Sequence, residues 1–412
     1  MADPRKIVET RCCIAGGGPA GIMLGYLLAR SGIDVVVLEK WKDFFRDFRG
    51  DTVHPSTLQV LYELGLLDRF LALPHDEARE LSGEIGGKNV VLADFTHLPT
   101  HCKFIALVPQ WDFLNFLSDE AKAFTGFHLM LATEATGLIV EQGRVCGVEA
   151  KGPDGEIAIL SELTIGADGR HSTIRDKSGL EGRSFGAPMD VLWFRLSRKD
   201  GDVSNPLGKM ERGRVIIMIA RGTYWQCAWL IRKGAFDEIR ARGLDAFRAD
   251  IAMIAPELRD RLGELQSFDD LKLLTVAVDR LTRWQRRGLL CIGDAAHAMS
   301  PIGGVGINLA IQDAVAAANI LVPAFRAGTP GYDDLRAVQK RRDFPTRATQ
   351  WAQVLIQNRI IERILGRDVH FVLPWPLRLF RIFPRLRRIP ARLVGIGVRP
   401  EHPRMFATET RP

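Results

Sequence analysis

The sequence predicts an α/β protein of two interleaved domains, one built on βαβ units and one on a β-sheet, followed by a helical C-terminal segment. Three observations carry that reading. Residues 11–40 form a strand–glycine turn–helix–strand pattern, residues 190–231 are strand-rich, and the chain after 331 is helical and rich in arginine. The 412 residues, 46% hydrophobic and 25% charged, have ordinary globular composition, which excludes disordered, collagen-like and disulfide-scaffold chains. At roughly 100 to 200 residues per domain the length suggests two or three domains.

The elements follow in order. Arg11-Cys12-Cys13-Ile14-Ala15 is a short apolar run ended by Gly16-Gly17-Gly18-Pro19-Ala20-Gly21, after which Ile22, Leu24, Tyr26, Leu27 and Leu28 follow helical spacing to Ser31-Gly32. Asp34-Val35-Val36-Val37-Leu38 is too apolar to be half exposed and reads as a buried parallel strand ending at Glu39. Helices are expected over 55–72 and 110–124, strands over 81–95 around Gly86-Gly87, and three or four short strands over 127–166. Strands are then expected over 191–196, 215–220, 224–231 and 271–278, with a charged helical stretch over 235–262 between the last two. Leu289-Leu290-Cys291-Ile292 precedes a glycine-rich stretch and an Ala-rich helix over 306–322, and the segment after 331 reads as helical and broken by prolines. Six cysteines lack metal spacing, and four lie in apolar strand-like runs, so they read as reduced core residues. No run approaches the roughly 18 apolar residues of a spanning helix, and the first residues lack the apolar core of a signal peptide. A cytoplasmic location is expected.

Gly16-x-Gly18-x-x-Gly21 follows a strand, opens a helix and is trailed 18 residues after Gly21 by the acid Glu39 at a strand end. This is the context of a Rossmann-like dinucleotide fingerprint. Gly16 permits the sharp turn, Gly18 lets backbone approach a pyrophosphate, Gly21 allows close helix–strand packing, and the helix that Pro19 opens offers free N–H groups from Ala20 onward and partial positive charge. Glu39 suits ribose hydroxyls. Thr164-Ile165-Gly166-Ala167-Asp168-Gly169 ends a second strand and leads into a helix capped by Ser172 or Thr173. Leu289-Leu290-Cys291-Ile292-Gly293-Asp294 ends a third and continues through Pro301, Gly303, Gly304, Val305, Gly306, Ile307 and Asn308 into the Ala-rich helix. Its glycines leave amides free near a second helix start, and Asp294 suits a sugar-like hydroxyl chain. Together these make a second half-site for an extended cofactor.

The three signatures in this order resemble the flavoprotein aromatic hydroxylases of the para-hydroxybenzoate hydroxylase type, including the ubiquinone-biosynthesis-like hydroxylases, over residues 10–330. The resemblance implies FAD, with Glu39 and the adjoining Lys40 at the adenosine end and Asp294 on the ribityl chain. Arg49, in the Arg49-Gly50 turn, and Gln110, after Pro109, match positions that contact FAD. The backbone of Gly303 to Asn308 would lie against the isoalloxazine, with Pro301 lining its substrate face, and Asp168 with Gly169 would contact both FAD and NAD(P)H. A single GxGxxG implies that NAD(P)H docks transiently. The implied domains are a discontinuous FAD-binding domain over 8–75, 101–180 and 280–330, a substrate domain over 76–100 and 181–279, and the helical, Arg-rich segment 331–412. The implied reaction is NAD(P)H- and O2-dependent hydroxylation of a phenolic or quinol-like ring through a flavin C4a-hydroperoxide. The alternative on the same fold is a flavin-dependent reductase or oxidase of an isoprenoid or aromatic metabolite. The WxWxIP motif of flavin halogenases is absent from the sequence.

Candidate substrate-side residues carry two readings each. Tyr224 is the one tyrosine in the strand-rich segment, and it is either a substrate contact or a packed strand aromatic. His54 is either a base facing the ring or a histidine opening a helix before Pro55. Arg195, on a strand face with Val191 and Trp193, is either a counter-charge for an acidic substrate or a surface arginine. Trp193, Phe194, Met210, Met218, Trp225 and Trp229 suit an aromatic or apolar substrate and suit a domain core equally.

The net charge of +7 is matched by seven arginines between residues 369 and 400 (Arg378, Arg381, Arg385, Arg387, Arg388, Arg392 and Arg399), a stretch without Asp or Glu. The rest of the chain is balanced, which argues against a nucleic-acid partner. These arginines interleave with Trp375, Leu377, Leu379, Phe380, Ile382, Phe383, Leu386 and Leu393, the composition of an interfacial segment. Two expectations follow: peripheral contact with an anionic membrane or partner surface at the inner membrane face, or a helical cap that packs its leucines on the body. Monomer and homodimer are both expected assemblies.

Overall fold

A computed structural model describes residues 6–45, 52–202, 207–211, 213–366, 379–380 and 382–406. At its centre, β1 (Lys6–Ala15) pairs in parallel with β2 (Val35–Leu38) on one side and with strand Gly155–Gly166 on the other. Phe127–Met130 beyond β2, and Leu289–Cys291 beyond Gly155–Gly166, extend this parallel core. The hairpin Glu134–Glu141 and Arg144–Gly152 pairs antiparallel with the first half of Gly155–Gly166, leaving the second half to Leu289–Cys291. All four residues of β2 are buried, as a parallel strand covered on both faces requires. The helix α1 (Pro19–Arg30) and helix Gly306–Ala327 pack on one another over this sheet, and both are buried on nearly every side. The Ala-rich segment Ile302–Ala327 has the length and apolarity of a spanning helix, but it is a core helix of this body, with 83% of its apolar window buried.

The second sheet has seven strands in the order Lys272–Leu274, Met189–Ser197, Tyr224–Arg232, Arg214–Arg221, Leu207–Glu211, Glu80–Ile85 and Lys88–Asp94. Because side chains alternate across a strand, its two faces have different tasks. Leu192, Phe194, Leu196, Met218, Trp225, Cys227 and Trp229 form one core with Phe247, Ile251 and Leu258 of the covering helices. Four of the six bulky residues considered for substrate contact, Phe194, Met218, Trp225 and Trp229, therefore belong to a packed core. Trp193 and Met210 lie on the opposite face. The strand expected over 271–278 is only Lys272–Leu274. Beyond it the chain leaves the sheet because the Val276 amide donates to the Asp190 carboxylate at 2.9 Å instead of to a neighbouring strand.

The expected helices at 55–72 are two, Pro55–Glu63 and Leu67–Leu71. In the segment after 331, Pro345 does not break its helix as expected but lies within Tyr332–Ile356, as Pro323 lies within the preceding Gly306–Ala327. Each forfeits one amide bond, and burial of the face around it, Thr346, Gln350 and Gln353 included, holds the long helix together. Helix Arg388–Gly395 docks on the body rather than standing free. Its Ala391 and the following Ile396 are buried with Phe95, Leu98, Ile105 and Leu107, while Ile389 and Leu393 remain exposed. Trp375, Leu377, Arg378 and Arg381 lie outside the described residues. The cysteines are free thiols, all buried except the half-buried Cys146.

Candidate active site

The parallel strands end level. Ala15 stands beside Leu38 and Gly166, and Gly166 beside Cys291. The ladder continues one step further: Gly16 N donates to Leu38 O at 2.8 Å, Ala167 N to Ala15 O at 2.8 Å and Ile292 N to Gly166 O at 2.9 Å. The three motifs therefore emerge together at the carboxyl edge of the sheet, where open α/β sheets bind ligands.

Steric demands fix the first motif. Gly16 has φ +110, and a Cβ on it would lie 2.3 Å from Ala167 O. A Cβ on Gly21 would lie 1.9 Å from Gly16 O. Gly18, the N-cap of α1, differs: a Cβ there meets nothing within 4 Å, and no side chain caps the helix. Pro19 opens the helix and Ala20 packs beside Gly293, whose Cβ would lie 3.1 Å from that of Ala20. The Glu39 carboxylate accepts from Gly17 N at 3.2 Å and Trp41 N at 3.1 Å, which sets it beside the glycine turn. Lys40 is exposed, with its ammonium 5.4 Å from the Trp41 ring centre. Gln110 begins helix Gln110–Ala121, and its neighbour Trp111 packs on Phe45. Arg49 lies outside the described residues.

In the second motif Asp168 turns toward its own helix. It accepts from the Ser172 hydroxyl and from Ile174 N, the latter at 3.1 Å. Burial raises its pKa against these donors. Gly169 has φ +86, and Arg170 reaches across to Asp294 of the third motif at 3.5 Å. Gly293 has φ +58, and its amide donates to Asp313 Oδ2 at 3.0 Å.

The stretch from Pro301 to Asn308 folds as a tight turn, Ile302–Gly304, leading into helix Gly306–Ala327, with Gly303 and Gly304 at φ +79 and +63. Thr52 donates to Gly304 O at 3.1 Å, and the Asn308 carboxamide oxygen accepts from His54 N at 3.0 Å and Thr57 Oγ1 at 2.7 Å. Val305 and Ile307 are buried. His54 is the N-cap of helix Pro55–Glu63, fully buried, with Nδ1 2.8 Å from Val394 O. That is the position of a helix-opening histidine. Its burial lowers the pKa to about 4 against the favourable bond to Val394.

Two sets of residues here give little sequence signal. Gln353 donates to Ser300 O at 2.9 Å and Ile302 O at 2.8 Å, gripping Pro301 from both sides, and Gln350 donates to Asp279 O and Ala298 O. Asp313 takes the Gly293 amide, His297 and Arg342 together. The only trace of the first is a row of glutamines on the buried side of an amphipathic helix. The trace of the second is one acid inside an Ala-rich run. His297 belongs to this structural cluster.

The opposite face of the seven-stranded sheet adjoins this turn, and its apolar end is itself covered, by Ile361 and Ile364. Register pairs Trp193 with Ala228, Arg195 with Gln226 and Ser197 with Tyr224, so these side chains share one face. The Arg195 guanidinium lies 4.7 Å from the Tyr224 ring centre, a cation–π contact. Ile302, next to Pro301, packs on the apolar end of this face with Val191, Val215 and Leu230.

The FAD binding domain family matches residues 9–352, and the chain belongs to that family. It is 31% identical over 395 residues to the 6-methylpretetramide 4-monooxygenase of Streptomyces rimosus, covering 95% of this chain and 93% of that protein. It is 27% identical over 340 residues to an uncharacterized aromatic compound monooxygenase of Bacillus subtilis, covering 79% of this chain and 64% of that one. A probable FAD-dependent monooxygenase of Pseudomonas aeruginosa superposes with a TM-score of 0.73 at 20% identity, over 87% of this chain and 98% of that one. The fold and family thus define an FAD-dependent oxidoreductase of the monooxygenase class. The crevice fits FAD on observations of its own: the space beside Gly18 is open, and Asn308 Nδ2, at the start of the third motif's helix, is buried without a partner.

Proposed function

We propose that the protein hydroxylates an aromatic, phenolic or quinol-like substrate with NAD(P)H and O2. One observation supports this reading: the turn that begins at Pro301 joins the carboxyl edge of the parallel sheet, through Ile302, to the face of the second sheet that carries Arg195 and Tyr224. In this reading Gly16 to Gly21, Glu39 and Lys40 hold the adenosine and pyrophosphate, with Arg49, Gln110, Asp168 and Gly169 contributing contacts. Gly293 and Asp294 hold the ribityl chain, and Gly303 to Asn308 flank the flavin ring. Bound there, FAD would accept a hydride from NAD(P)H and, once reduced, would activate oxygen.

The chain's own residues orient the substrate and exclude water. Arg195 and Tyr224 place a cation and a phenol side by side on the half-buried end of that face, suited to a substrate whose ring oxygen carries developing negative charge. Pro301 gives a rigid, apolar wall. His54, buried and bonded to Val394 O, supports the flavin turn rather than meeting the substrate. The relatives named for 6-methylpretetramide and for anhydrotetracycline support an aromatic substrate.

The test is purified protein incubated with NADPH or NADH, 18O2 and a panel of phenols, quinols and isoprenoid alkenes. Substrate-accelerated NAD(P)H oxidation with one labelled oxygen in the product is the expected result. Saturation of an alkene without label identifies a reductase instead, and substrate-dependent peroxide without label an oxidase.

A further inference from the structure

We propose that Glu401 is a positioning residue for the Gly293-Asp294 turn, acting through a buried chain of charged groups. Asp313, Arg342, His297 and Glu401 are 0%, 1%, 1% and 5% exposed. Asp313 Oδ2 accepts from Gly293 N at 3.0 Å and lies 2.6 Å from His297 Nε2. Its other oxygen accepts from Arg342 Nε at 2.9 Å. Arg342 in turn donates through Nη1 to Glu401 Oε1 at 3.4 Å, and Arg341 donates to the same oxygen at 2.7 Å. The Glu401 amide closes the chain by donating to the side-chain oxygen of Gln312, the residue before Asp313.

Buried charges persist only when every member is paired. Without Glu401, Arg342 keeps Asp313 as its one carboxylate, and its Nη1 retains only a 3.4 Å bond to Arg399 O. The guanidinium is then free to tilt, and Asp313 with it, which releases the amide that sets Gly293 at φ +58. A second contact from the same C-terminal segment reaches the other half of the cradle: Val394 O holds the His54 ring, whose Nε2 faces Gly304 at 3.6 Å from where a Cβ would stand. The segment 388–401 therefore braces both parts of the third motif from behind. The inference rests on the reading that Asp294 and its turn hold the flavin's ribityl chain.

The experiment measures FAD affinity and release by flavin fluorescence, with the visible spectrum, in full-length wild type and variants. Glu401→Ala is expected to weaken FAD binding about tenfold, to speed its release and to alter the flavin spectrum. His402→Ala, which removes an exposed contact of the same segment with Glu63, is expected to leave all three unchanged. Glu401→Asp, which keeps the charge but shortens its reach, gives a smaller effect and serves if the alanine variant does not fold. Wild-type affinity and spectrum in both Glu401 variants overturn the proposal, even if their melting temperatures fall. Unaltered FAD binding by Asp294→Ala overturns the underlying assignment of the turn instead.

Discussion

A methyl group added at Gly18 meets nothing within 4 Å, whereas one at Gly21 would stand 1.9 Å from Gly16 O. Two alanine variants three residues apart should therefore fail differently. Gly18 has φ −75 and ψ −176, which alanine adopts freely. Gly18→Ala is expected to unfold within about 0.5 kcal/mol of wild type while losing FAD, because in the proposed reading the methyl takes the pyrophosphate's place. Gly21→Ala is expected to lose the fold of the turn itself, read as a lowered urea midpoint even before cofactor is added. His54 makes a pH prediction. Its pKa lies near 4 in the folded chain, below the ordinary 6.5, so the folded state prefers the neutral ring. Its contribution is fully present above pH 6.5 and is lost as pH falls toward 4, by about 3 kcal/mol over that window. Urea unfolding at pH 7 and pH 4.5 should show a smaller loss for His54→Asn than for wild type.

Among the elements, the seven-stranded sheet shows how one sequence pattern supports two tasks. Phe247 reaches down from its helix to meet Phe194 and Trp229 edge-on, at centroid distances of 6.0 and 5.6 Å. Phe247→Ala is expected to cost about 3 to 5 kcal/mol, seen as a fall in melting temperature. Flavin content should be little changed, because the face that packs on Phe247 is not the one that meets the turn. The long helix Tyr332–Ile356 acts on the site through glutamines. Gln353→Leu preserves helix and bulk but leaves Ser300 O and Ile302 O without their donor. A raised KM for the substrate with FAD retained is the expected result, measured by steady-state kinetics. Strands such as β2 were legible because apolar β-branched runs have few other uses. The early end of Lys272–Leu274 was not, because Asp190, distant in sequence, captures the Val276 amide.

Over the whole molecule, the arginine-rich end illustrates the limit of composition. Its charge and apolar content fit an interfacial segment, yet helix Arg388–Gly395 is seated on Phe95 and Leu98 and is tied to His54 through Val394. Ile389 and Leu393 still face outward among the arginines. By itself the sequence determined the three motifs, because turns with close approach admit only glycine and because strand ends followed by acids are local patterns, and the resemblance those motifs carry implied the flavin. Tertiary structure alone decided which face of the second sheet adjoins the Pro301 turn, that Gln353 and Asp313 hold the Ser300–Ile302 and Gly293 turns, and that the C-terminal segment closes a buried ion chain. Those outcomes depend on contacts between residues far apart in sequence, where the same side chain serves as core, clamp or surface according to what packs against it.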